Sequence, residues 1–293
     1  MKTANKIYGI ALALMFGLAV TLDAQNVFVG NYGDGTIAEF GPNGSPVNAS
    51  LITSDVSQGI AISGGDLFVA NFVAGTVGEY TTYGTPFSTS LITGLNDPYG
   101  LAISGSDLFV ANAGSGTIGE YTTTGTPVSA SLISSLNDPV GIAISGSDLF
   151  VANFAAGTIG EYTTSGGMVN ASLITGLSNP WDIAISGGDL FVANGGSGTI
   201  GEYTTSGTPV ATSLISGLDE PIGIAISGSD LFVANYKSGT VGEYTTGGTP
   251  VDASLISGLD EPNFIALASV PEPSAFPLTA LSTAALWLWG RRK

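Results

Sequence analysis

One repeated unit constrains this chain more than any other feature, because self-similarity at a fixed step must be settled before any single motif is interpreted. The pentad LFVAN occurs at 67–71, 108–112, 149–153, 190–194 and 231–235, with the variant VFVGN at 27–31. The closing asparagines follow one another at steps of 40, 41, 41, 41 and 41 residues. A Glu-aromatic pair keeps the same beat, at Glu39, Glu79, Glu120, Glu161, Glu202 and Glu243. The unit at 99–139 divides into four short strand candidates, a (100–104), b (107–112), c (117–122) and d (128–134). Gly105-Ser106 joins a to b with the Gly-X chemistry of a two-residue hairpin. Four antiparallel strands in about 41 residues is the size of a β-propeller blade.

Strands a and b are apolar or small on both alternating faces, as with Leu108 and Val110 against Phe109 and Ala111. Such a sheet needs cover on both sides, which stacked neighbours supply in a ring or a solenoid. The two ends of the repeat region decide between them. The first copy has no strand a before it, and the last repeated piece, 263–267, is a strand a with nothing after it. Pairing the ends closes a circle and equalises the strands at six of each kind. The expected fold is therefore an all-β, six-bladed propeller over residues 25–269, four antiparallel strands per blade, its first blade closed by the C-terminal strand. A chain of that length buries about 70–75% of its extended surface. Pro139-Val140-Gly141-Ile142-Ala143 followed by the LFVAN of 149–153 resembles the opening of NHL-type six-bladed propellers, across the whole middle of the chain.

Composition removes several chemistries. The 293 residues contain no histidine and no cysteine. A Ser-His-Asp triad, a thiolate nucleophile, a disulfide framework and a conventional zinc site are thereby excluded. Lys2, Lys6, Arg291, Arg292 and Lys293 occupy the ends, so Lys237 is the only cation between Gln25 and Val270, facing 21 acids and giving that stretch a net charge of −20. Nucleic acid and anionic lipid are excluded as its partners, since phosphate affinity depends on Lys and Arg displacing counterions.

Both ends carry address-like patterns. Lys2 and Lys6 precede an apolar run at 7–20 and a small residue, Ala24, in the order of a secretory signal peptide over residues 1–24. Residues 270–293 hold Val270-Pro271-Glu272-Pro273, an apolar stretch at 276–289 and a basic tip. This order resembles the PEP-CTERM sorting signal of bacterial exported proteins. The stretch is short for a full span, which needs about 20 apolar residues, while the basic tip predicts a cytoplasmic end. A signal helix and a short hydrophobic transmembrane helix are therefore expected outside the propeller. An ordinary tail anchor or a helix packed on the domain stays open as the alternative. The resemblance implies processing near Pro271–Pro273 by an exosortase-type enzyme, an inner-membrane stage before it, and a final place at the cell surface or outside the cell.

Repeated polar residues suit structural work. The aspartates opening strand b (Asp66, Asp107, Asp148, Asp189 and Asp230) stand once per blade, too far apart for one ion, and suit an Asx-type bond at the a–b hairpin. The strand-c glutamates fit a blade interface or an exposed rim. Function is sought where units differ. Just after the Pro of the d–a connection stand Tyr99, Val140, Trp181, Ile222 and Asn263, with Gln58 as counterpart; just after the repeated Asn stand Tyr32, Phe72, Ala113, Phe154, Gly195 and Tyr236. In a propeller these two sets share one face around the channel mouth. Tyr32, Phe72, Tyr99, Phe154, Trp181 and Tyr236, with Asp182 and Lys237, form the candidate ligand-binding set, suited to stacking sugars or another chain.

The leading expectation is an exported, non-catalytic interaction module, monomeric, without cofactor or metal, whose partners are the processing enzyme and an exopolysaccharide or another surface protein. The alternative is a calcium-dependent hydrolase or lyase of the gluconolactonase and NHL-like group. The lyases of that group lean on histidine, and the metal site would have to use Asp182, Asn263 or Asp34.

Overall fold

The computed structural model describes residues 25–53 and 57–269. The signal segment, the sorting motif and the two terminal helices expected from them lie outside those residues. Among the described residues, twenty-four strands form six four-stranded sheets. Blade 1 takes strands b, c and d from Gln25–Asn31, Thr36–Phe40 and Pro46–Thr53, and strand a from Pro262–Ser269. Blade 3 is the plain form, with Pro98–Ser104, Asp107–Asn112, Thr117–Thr122 and Pro127–Ile133 in sheet order a to d. Strand a opens blades 2, 4, 5 and 6 at Ser57, Pro139, Pro180 and Pro221.

The ring closes as the sequence requires. Strand a of blade 1 pairs antiparallel with strand b in the register Val27↔Leu267, Phe28↔Ala266 and Val29↔Ile265. Packing closes with it, because the apolar core is six clusters, one at each blade junction, and not one central body. Blades 4 and 5 meet through Phe150, Ala152, Ile159 and Ile174 on one side and Ile183, Leu190, Val192 and Tyr203 on the other. The same arrangement joins blade 6 to blade 1, with Phe232, Ala234, Val241 and Ile256 against Val27, Val29, Phe40 and Ile265. Alternation along LFVAN explains this economy. Leu and Val face the preceding blade while Phe and Ala face the following one, so each strand b is wholly buried between neighbours. At roughly 1.5–3 kcal/mol for each fully buried large apolar side chain, these junctions are the main favourable term holding the circle.

Strand a begins two residues earlier than the sequence suggests, at Pro98 and not Gly100. The reason is a bulge. Pro98 pairs with Asn112 and Leu101 with Val110, so an extra residue is accommodated between them. The same shift separates Pro180 from Asp182 and Pro262 from Ile265. Bulges re-aim side chains at strand ends. Here they turn the residue after proline off the ladder, at the face where the d–a and b–c loops meet.

The repeated aspartates differ from expectation in their bonding. Asp107 and Asp230 accept only from the adjacent Ser106 and Ser229 hydroxyls, at 3.5 and 3.3 Å. Each Asp instead lies diagonally across from the strand-c glutamate on the same sheet face, since Asp107 opposes Thr122 while Glu120 opposes Phe109. The asparagines ending strand b do brace the b–c turn: Asn31 and Asn71 donate from Nδ2 to the hydroxyls of Thr36 and Thr76 at 3.1 and 3.2 Å.

Candidate functional site at the channel mouth

Five residues preceding the blade-opening prolines, Asp97, Asp138, Asn179, Glu220 and Glu261, have positive φ between 51° and 60°. A side chain in this left-handed region costs roughly 1–2 kcal/mol, so surrounding contacts must hold it there. They do. Each of these carbonyls accepts from the backbone N–H of the residue after the repeated asparagine: Asp97 from Ala113, Asp138 from Phe154, Asn179 from Gly195, Glu220 from Tyr236 and Glu261 from Tyr32, all at 2.9–3.1 Å. These bonds clamp the d–a loop to the b–c loop and bring the two sets of unrepeated residues to one face.

The aromatic members meet in two groups, a pair and a run of four. Tyr32 and Tyr236 have ring centroids 6.2 Å apart. Phe72 meets Tyr99 edge-on at 5.1 Å, Tyr99 meets Trp181 at 6.1 Å, and Phe154 meets Trp181 at 4.5 Å. Such spacings are within the range in which rings attract beyond their area of contact. Every blade contributes one of these six rings. Where the ring sits after proline, as with Tyr99 and Trp181, the neighbouring b–c position is Ala113 or Gly195; elsewhere the b–c position carries the ring. The exchange is steric, since a Cβ at Gly195 would lie 2.6 Å from Trp181 Cδ1.

Tyr32, Tyr99, Trp181 and Tyr236, with Gln58, Glu220, Ile222 and Asn263, enclose a cavity of about 190 Å³. Phe72 and Phe154 do not line it and instead back Tyr99 and Trp181. Larger hollows of about 430 and 520 Å³ lie in the grooves between blades 4 and 5 and between blades 6 and 1. Their walls come mainly from repeated positions, so they are recurrences of one groove and not a distinct site.

Two expected site residues stand apart from the cup. Asp182 is buried in the inner wall, where Oδ1 accepts from Ile183 N at 2.9 Å and Oδ2 from Ile224 N of the next blade at 3.2 Å. Burial raises its pKa to about 7, the two amide hydrogen bonds offsetting part of that rise. It is a tie between blades 5 and 6 more than a mouth residue. Lys237 points outward with its side chain 63% exposed, and its Nζ lies 3.0 Å from Glu220 Oε2. Tyr99 is pushed up to about 12, by burial first and then by Asp138, Tyr32 and Asp97. Tyr236 is raised as well, by burial and by a hydrogen bond to the Glu261 carboxylate.

Sequence reasoning missed Glu220 as a wall of the cup, and it placed Gln58 and Asn263 at the mouth without counting them in the binding set, although both line the cup. Asn263 Nδ2 donates to Gln58 Oε1 at 3.1 Å across the closure between blades 1 and 2. Their signal was present, because both depart from the apolar residues at the equivalent place. Asn263 and Asp34, the other metal candidates, are engaged locally: Asn263 Oδ1 accepts from Phe264 N at 2.7 Å, and Asp34 Oδ1 accepts from Thr36 N and Oγ1 at 3.0 and 2.7 Å. Among the described residues, no group of three or more acidic side chains is arranged to hold a metal ion.

No family model matches the chain, and no curated protein matches it. Solved structures do match. The chain is similar to one in the nidogen/laminin complex, with a TM-score of 0.73 and 15% identity over 83% of this chain and 98% of that one. It is also similar to a catalytically inactive histidine-to-alanine variant of virginiamycin B lyase from Staphylococcus aureus with quinupristin, with a TM-score of 0.62 and 19% identity over 85% and 93% of the two chains. A streptogramin B lyase matches with a TM-score of 0.56 and 18% identity over 86% and 75%. These likenesses define a six-bladed β-propeller with NHL-like structural neighbours. One neighbour comes from a binding complex and two are lyases, so the fold itself is common to both kinds of work.

Proposed function

We propose that this chain is an exported, non-catalytic binding module whose site is the aromatic cup at the channel mouth. The observation that carries the reading is the convergence of one unrepeated ring from each of six near-identical blades onto one face. Concave sites with aromatic walls and a few polar groups suit ligand binding. The terminal patterns support passage through the inner membrane, processing near Pro271–Pro273 by an exosortase-type enzyme, and a final location at the cell surface or in the extracellular matrix. An exopolysaccharide or a surface protein is the partner this address favours.

The test is retention of the purified exported protein on exopolysaccharide isolated from the producing cells, for the parent chain, Trp181→Ala and Tyr99→Ala. Loss of retention in both variants with melting temperatures within a few degrees of the parent supports the reading. Undiminished retention, or unfolding of both variants, assigns the rings to packing between blades. Mass spectrometry of the exported protein reports whether residues beyond Pro273 persist.

A second reading, hydrolase or lyase, draws on Asp182, a buried carboxyl whose pKa of about 7 suits a general acid or base. Against it, both Asp182 oxygens are already occupied by backbone amides, and the chain has no histidine.

A further inference from the structure

The cup's chemistry selects among ligands. Four of its eight lining residues are Tyr or Trp, and its one ionisable wall other than tyrosine is the carboxylate of Glu220. A second carboxylate, Glu261, reaches the Tyr236 phenol at the same edge. Lys237, the sole cation between Gln25 and Val270, contributes nothing to the lining, and its ammonium already meets Glu220 from the solvent side. The cup is thus lined by electron-rich rings and carries a carboxylate, paired with Lys237, at its wall, inside a region of net charge −20. Ring quadrupoles attract an ammonium group, most strongly when it is partly desolvated, and trimethylated nitrogens suit aromatic enclosures in particular. A neutral sugar could stack on the rings and donate a hydroxyl to the carboxylate, but it would gain no ion pairing from it. The volume of about 190 Å³ matches a small head group and not a disaccharide.

We propose that the mouth takes an organic ammonium group, such as a choline-like substituent on a surface polymer or a methylated amine. The inference rests on the reading of the mouth as a binding site and names its ligand class. Glu220 supplies the charge, Tyr32, Tyr99, Trp181 and Tyr236 the enclosure, and Gln58 with Asn263 a polar floor for a hydroxyl or ester oxygen. Lys237 acts as a competitor for Glu220, which sets the affinity for an incoming cation.

The experiment uses the full chain carrying Trp287→Phe and Trp289→Phe, so that Trp181 is the single tryptophan. Choline and its uncharged isostere 3,3-dimethyl-1-butanol are titrated while Trp181 emission and heat are followed. Choline should give a saturable change, with the isostere at least ~10-fold weaker, as a cation–π contribution requires. Glu220→Gln should weaken choline severalfold, and Lys237→Ala should strengthen it about twofold by freeing the carboxylate. Equal binding of choline and the isostere, no saturable choline signal, or unchanged affinity in Glu220→Gln each overturns the inference. Exopolysaccharide binding that depends on Trp181 but is unaffected by choline would remove the cation while leaving the binding module intact. Failure of Trp181→Ala to alter any binding would remove both.

Discussion

Asn26 donates from Nδ2 to Glu39 Oε1 at 2.6 Å, while the other five blades place an aspartate at the same corner. Among the described residues, blade 1 alone therefore joins this corner by a hydrogen bond, and its Glu39 is correspondingly buried. In the others, two carboxylates lie diagonally on one sheet face, close enough for the aspartate to raise the pKa of the glutamate, and such like charges repel. Replacing Asn26 by Asp should convert the bond into a repulsion and cost about 1 kcal/mol at pH 7. For a domain of this size that is a fall of roughly 2–4 °C in melting temperature. The difference should shrink at pH 4.5, where the carboxylates begin to share protons. Scanning calorimetry at the two pH values checks both the size and the trend.

Those five corners give the fold an unusual pH dependence. Glu79, Glu120, Glu161, Glu202 and Glu243 all have raised pKa values, through burial first and the adjacent aspartate second. Asp138 is raised in the same way, by burial and by Asp97. Asp182 is raised to about 7 by burial. A carboxyl whose folded pKa exceeds its unfolded value binds more protons in the folded state, so its stabilisation is complete below the unfolded value and is lost as pH climbs through the folded one. The glutamates are half-buried and still reach solvent, which keeps each contribution small. Asp182 extends the window to neutrality. The melting temperature at constant ionic strength should therefore be higher at pH 5 than at pH 8. Asp182→Asn should flatten the slope between pH 6 and 8, and lower stability at pH 5 by setting an amide N–H against one of the two backbone donors. A melting temperature that rises from pH 5 to pH 8 would contradict the assignment.

The ring was legible in the sequence because its determinants are local and recur: LFVAN fixes which blade each side chain faces, and the unmatched end strands fix closure. The mouth was legible as a set of positions, since variation among near-identical units isolates Tyr99 and Trp181 at once. What escaped were effects that depend on distance between blades. The bulge after Pro98 leaves no mark in a five-residue pattern, because Gly100 reads equally well as a turn or as a strand start. Asp182 looked like a mouth residue from its rarity. Only the approach of Ile224 from the next blade, 42 positions on, makes it an inter-blade tie. Glu220 passed unnoticed because its neighbours in sequence are common turn residues, and its role comes from the left-handed backbone that places it beside the cup.

In four of the six blades the approach of one strand a to the next depends on glycine, the other two carrying Asp182 and Phe264 at the same place. A Cβ at Gly59, Gly100, Gly141 or Gly223 would run into the carbonyl oxygen of Tyr99, Val140, Trp181 or Asn263 on the next strand a. Backbone obstacles do not yield as flexible side chains do, and overpacking of this kind costs roughly 1–3 kcal/mol, toward the upper end where backbone must move. Gly100→Ala should thus lower the unfolding free energy by about 3 kcal/mol. Gly247→Ala, whose new methyl would meet only Thr245 Oγ1 at 3.7 Å, should be near neutral. Denaturant titration of the two variants makes the comparison, and equal stability of both would show that the ring can widen at no cost.

The final strand should behave as a removable part. Ile265 packs at the junction of blades 6 and 1, and Ala266 packs at the junction of blades 1 and 2, so this one strand serves two interfaces. A chain ending at residue 261 would lose both contacts and expose the edge of strand b in blade 1, a template for pairing with other chains. Such a chain should melt without a single cooperative transition, bind an apolar dye and elute as higher oligomers. A peptide of residues 261–269, supplied in excess, should restore the transition by adding itself to the open edge, with main-chain bonds giving affinity and the alternate side chains giving register. A truncated chain that keeps the full melting temperature, or a peptide without effect on a cleanly unfolded one, would show that the first blade does not depend on this clasp.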